Sequence, residues 1–137
     1  MATHKKILIL LFTCLFFYPF FCEAESYKDW QAYKDYLKLP DEYKSPAMEK
    51  SYKDSYDAQQ KVKNLPCING GTIQEYLDKK AAIPAVEDLG WATSPYNGGF
   101  EVERILILNG MKLIYRWSVL PDGSIVPANG KAQGLTK

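Results

Sequence analysis

The sequence has 137 residues, with 17 Lys and Arg against 16 Asp and Glu, three cysteines and one histidine, a length that suits one modest domain and excludes a multidomain enzyme. A charge balance near zero without a basic block excludes counterion-driven nucleic-acid binding and a polybasic membrane-surface segment.

Residues 1–24 read as a cleaved signal peptide. Lys5 and Lys6 precede an uncharged run from Ile7 to Phe21, Pro19 breaks that run near its end, and Cys22 and Ala24 place smallish side chains at the −3 and −1 positions. The run is 15 residues long, short of the roughly 20 that a spanning helix needs. Cleavage after Ala24 is therefore expected, with export to the periplasm or the exterior and no stable membrane insertion. Phe21 before Cys22, and Leu11-Phe12 before Thr13-Cys14, argue against lipidation. Removing Lys5, Lys6 and Glu23 leaves 15 basic and 15 acidic residues, a net charge of zero.

The one histidine, His4, leaves with the leader. Residues 25–137 then have no imidazole, which excludes Ser-His-Asp and Cys-His catalysis, His-ligated zinc and C-x-x-C-H haem attachment. No cofactor or metal is implied, and the reading is non-enzymatic.

Residues 25–137 form a single small domain whose first half reads as helices and whose last half reads as strands. Ser26 and Asp29 resemble a helix cap, and Trp30, Tyr33 and Leu37 recur at helical spacing up to Pro40, predicting a first helix over 27–38. Ser45-Pro46 supplies an N-cap with proline at the first helical position, and Met48, Tyr52, Tyr56 and Val62 extend a second helix over 46–63. Thr72-Ile73-Gln74-Glu75 has capping-box form and starts a third helix, about 73–82, ended by Pro84.

Asn109-Gly110 between two β-favouring runs is a type I′ hairpin signal. It sets Leu106 opposite Leu113, Arg104 opposite Tyr115, Val102 opposite Trp117 and Phe100 opposite Val119. The opposite face carries Glu101, Glu103, Ile105, Ile107, Lys112, Ile114, Arg116 and Ser118, with Glu103 facing Arg116 as an ion pair. Leu120-Pro121-Asp122-Gly123 turns the chain into a third short strand, Ser124-Ile125-Val126, placed at an edge by Pro127. Residues 129–137 read as a loosely held tail. The expected fold class is α+β: two to three N-terminal helices packed on one face of a C-terminal antiparallel sheet, a hairpin plus a short third strand.

Residues 25–137 hold nine tyrosines and three tryptophans but one phenylalanine, so most rings carry a polar handle suited to interfaces or sugar stacking. Tyr27, Tyr33, Tyr52 and Tyr56 form a candidate partner-binding strip on the first two helices, with packing of the helix pair as the alternative. The segment from Trp91 to Gly99, containing Tyr96, reads as a connecting loop and a candidate recognition loop. Cys67 is either a small buried hydrophobe or, unpaired in an exported chain, the site of an intermolecular disulfide. Arg104 interrupts an apolar face and needs the rim, the Tyr115 ring or a helix carboxylate. Asn69-Gly70-Gly71 and Asn97-Gly98-Gly99 lack the spacing of phosphate loops.

Together these features point to an exported accessory protein that presents a Tyr/Trp-rich surface to a protein partner, as an inhibitor, immunity-type protein or assembly subunit. The alternative is a glycan-binding or glycan-cleaving domain working by aromatic stacking and carboxylates, with Glu87-Asp88 or Glu101 with Glu103 as the pair.

Overall fold

The computed structural model describes residues 26–137; the expected leader over 1–24 lies outside the described residues. The chain is α+β, with helices packed against a four-stranded antiparallel sheet in the order β1-β2-β3-β4.

Helix α1 spans Gln31–Leu37, four residues shorter at its start than the spacing predicts. The Ser26 hydroxyl bonds the Asp29 carboxylate instead of a helix amide, so 26–30 form turns. Asp41–Tyr43 is a single 3₁₀ turn. Helix α2 runs Pro46–Lys63, and the Ser45 hydroxyl accepts from the Met48 amide. Helix α3 runs Ile73–Ala81 behind a complete capping box of Thr72 and Glu75, which satisfies two of the amides that a helix start leaves open.

The sheet corrects the expected three strands to four: β1 Val86–Tyr96, β2 Gly99–Leu108, β3 Met111–Val119 and β4 Ile125–Pro127. The segment read as a connecting loop is strand β1 and its turn. Asn97 and Gly98 have φ of 48° and 77°, nearly matching 51° and 77° at Asn109 and Gly110, so two Asn-Gly turns of the same left-handed kind join β1–β2 and β2–β3. The register from Leu106 against Leu113 to Phe100 against Val119 is as predicted. Gly99, which follows the first turn, has a different constraint: a Cβ there would lie 2.0 Å from the Val119 carbonyl oxygen.

The core lies between the sheet and helices α2 and α3. Val62, Cys67, Ile73, Leu77, Val102, Leu106 and Trp117 are fully buried, each large apolar side chain contributing about 1.5–3 kcal/mol by leaving water. The expectation of a loose tail is also corrected. Helix α4, Gly130–Gln133, follows β4, Ala132 and Leu135 enter the core, and the Trp117 indole donates to the Thr136 hydroxyl at 3.0 Å.

Where β4 ends, the side chain of Asn129 takes over its pairing. Its Nδ2 donates to the Ile114 carbonyl at 2.8 Å and its Oδ1 accepts from the Arg116 amide at 3.3 Å. The same Oδ1 caps α4 through the Ala132 amide at 3.0 Å.

Candidate interaction face

The aromatic strip expected on the first two helices is largely turned inward. Tyr33, Tyr36 and Tyr56 are buried, and the rings pair with one another: Tyr27 with Tyr33 in a T-shaped contact at 5.3 Å, Tyr36 with Tyr52 tilted at 5.0 Å and Trp30 with Tyr56 tilted at 5.8 Å. The polar handles are used within the same layer. Tyr33 donates to the Glu49 carboxylate at 3.0 Å and Tyr36 to the Ser45 carbonyl at 3.2 Å. The Glu49 bond and burial raise the Tyr33 hydroxyl above its ordinary pKa of 10.0. Of the four strip tyrosines put forward as partner-binding, Tyr33 and Tyr56 are thus buried, while Tyr27 and Tyr52 keep half-buried rings that already contact neighbours. Their evident work is to dock a seven-residue helix onto α2, because α1 is too short to persist without tertiary contacts.

Trp91 and Tyr96 both lie on β1, yet they face opposite ways. Trp91 pairs with Arg104 in register and turns to the helix side, where its ring lies 6.2 Å from Trp117 and 5.3 Å from the Arg104 guanidinium. Arg104, buried among apolar neighbours, is held by Asp88 at 2.5 Å and by Asp78 of α3 at 3.3 Å. A helix carboxylate is therefore one of its partners, as expected, and Asp88 on β1 is the closer one. Tyr96 is 51% exposed on the other side.

Cys67 is fully buried and free. Its amide donates to the Gly71 carbonyl at 2.9 Å, and it bridges Thr136 in antiparallel fashion. An intermolecular disulfide through this thiol would require the 66–72 connector to open, so the structure places it as the small buried hydrophobe.

With α2 and α3 on one side of the sheet, the other side has no helix upon it among the described residues. Ile105 and Ile114 pair across β2 and β3 next to Ile107, all half-buried. Across the middle, the Arg116 Nε meets Glu103 at 2.5 Å and Glu101 at 3.3 Å. The Glu103 bond holds Arg116 even further above its already high range, with a smaller contribution from Tyr96. Tyr96 and the 44% exposed Val126 stand at the far end. The two carboxylates proposed as a glycoside-cleaving pair are thus both engaged by one guanidinium, the Nε of Arg116. Glu87 and Asp88 are separated in the same way by role, Asp88 being bound to Arg104 and to the Gly90 amide at 2.7 Å.

Isoleucine positions 105, 107 and 114 are visible in the sequence as the second face of the hairpin. Their grouping as an uncovered patch requires knowing that every helix packs on the other side. Among the described residues no group of His, Cys, Asp and Glu is arranged to hold a metal ion, and no helix is long and apolar enough to cross a membrane. Comparison with family models, curated proteins and solved structures returns no match.

Proposed function

We propose that this is an exported, non-enzymatic binding protein that presents the open face of its sheet to a protein partner. The observation that carries the reading is the helix-free face of the sheet, where half-buried Ile105, Ile107 and Ile114 at one end and exposed Tyr96 and Val126 at the other flank the Arg116 charge cluster, since apolar and aromatic side chains set among charges are characteristic of interaction sites. The sequence supports it from the other direction: once the leader is removed no histidine remains, and the carboxylates on this face are bound to Arg116. The partner-binding role moves from the tyrosine strip of α1 and α2, which is spent on packing, to Tyr96 and its neighbours.

The test is site-specific photocrosslinking in the native exported fraction. A photoreactive side chain at position 96 or 107 should give one discrete protein adduct, and the same group at Lys38, just past the end of α1, should give none. Ile107→Glu combined with Tyr96→Ala should remove the adduct. Equal labelling from position 38, or heat released only on titration with polysaccharides, would replace this reading with non-specific adhesion or with glycan binding.

A further inference from the structure

The two edges of the sheet are finished differently. On the β4 side the edge strand has three residues, ends in Pro127 and is continued by the Asn129 side chain. On the β1 side an 11-residue strand stands at the edge. Tyr96 and Gly99 close a two-residue turn as a hydrogen-bonded pair, so ladder bonds to β2 come from residues 90, 92, 94 and 96. The peptide groups of Trp91 and Thr93 point outward, and no hydrogen bond reaches them from any described residue. Pro95, next in that outward row, has no amide to offer.

The regular part of the edge is bounded by the bulge between Asp88 and Gly90 at one end and by Pro95 at the other. It covers 90–94, and its midpoint is Ala92. No charged residue occurs between Leu89 and Phe100, so the inward or edge charges that keep strands from pairing with copies of themselves are missing over this stretch.

We propose that a second copy of this chain pairs antiparallel with this edge about a two-fold axis at Ala92, joining two four-stranded sheets into one. A two-fold contact needs mutual pairing, residue i meeting j while j meets i, and the outward peptide groups of Trp91 and Thr93, equally spaced about Ala92, allow it. Trp91 of one chain meets the partner's Thr93 as a hydrogen-bonded pair, and Thr93 meets the partner's Trp91. Ala92 meets the partner's Ala92 as the close, non-hydrogen-bonded pair, with Gly90 and Ser94 flanking it on the same face. Glu87 and Asp88 come opposite the uncharged 95–97 turn of the partner, so no like charges face each other. Leu89 and Tyr96, each about half exposed at 50% and 51%, are brought to the same level of the seam. An extended peptide from another protein would need none of this symmetry. The inference does not rest on the binding role of the open face, and its test reads a different quantity.

Sedimentation equilibrium of the exported chain should show a concentration-dependent monomer–dimer equilibrium. Ala92→Cys should form a disulfide-linked dimer under mild oxidation, because a close antiparallel pair has Cα atoms about 4.5 Å apart, within the range of a disulfide. Ser94→Cys should not, since its twin lies about 13 Å away along the strands, and buried Cys67 contributes no competing thiol. Ala92→Lys, at an exposed position, should leave the circular dichroism unchanged and yield a monomer. A monomer at every concentration, equal crosslinking of Ala92→Cys and Ser94→Cys, or a dimeric Ala92→Lys variant would overturn the proposal.

Discussion

The amide of the Asn129 side chain occupies the place of a peptide group beside Ile114, donating to the Ile114 carbonyl at 2.8 Å while accepting from the Arg116 amide at 3.3 Å. One side chain thus extends the sheet by a residue pair and starts a helix. Asn129→Ala leaves two strand groups and one helix amide without these bonds, and should cost about 1–3 kcal/mol, measured by urea unfolding. Asn129→Asp retains the acceptor but loses the donor, and should fall between.

Arg104 and Asp88 give a second expectation. Asp88→Ala removes the closer partner of a buried guanidinium together with the acceptor of the Gly90 amide. It should destabilise by about 2–4 kcal/mol. Asp78→Ala removes a longer, half-solvated contact and should cost at most about 1 kcal/mol. Equal losses for the two variants would refute this ranking.

Gly98 in the first turn and Gly99 just after it differ in the same measurement. Gly99→Ala drives a Cβ into the Val119 carbonyl oxygen, forcing β2 away from β3, and should cost about 3 kcal/mol. Gly98→Ala meets only ordinary contact with Pro121; its penalty is the left-handed backbone, about 1 kcal/mol.

Alkaline pH should loosen α1. The Tyr33 hydroxyl is held protonated by its bond to Glu49, so its folded pKa stands above the unfolded value of 10.0. The stability this bond supplies is complete below that value and is lost as pH rises through it towards the folded pKa. Near-ultraviolet circular dichroism should report the loss, and Tyr33→Phe, already lacking the bond, should show a weaker dependence over the same range.

The elements with self-contained signals were legible in the sequence. Ser45-Pro46, the Thr72/Glu75 box and Asn109-Gly110 each specify a boundary by local hydrogen bonding or backbone handedness, and α2, α3 and the β2–β3 register follow from them. Strand β1 was not legible because Glu87, Asp88, Gly90 and Pro95 are poor strand formers; an edge strand that pairs on one side tolerates them, and only the Asn97-Gly98 turn betrays it. Helix α4 was missed because its anchors, Ala132 and Leu135, are too few to show a period. The aromatic strip was visible as residues, but whether its rings face solvent or each other depends on how α1 docks, a tertiary fact. The Ile105, Ile107 and Ile114 patch likewise exists only once the helices have chosen the opposite face.

The last segment of the chain closes the first half of the core. Leu135 accepts the Ile68 amide at 2.8 Å, and Thr136 bridges Cys67 and receives the Trp117 indole. During synthesis, the helices and the β2–β3 hairpin can form early, but the core stays unsealed until residues 132–136 have been made. Residues 132–136 thus act as the closing element of a core whose other walls lie earlier in the sequence.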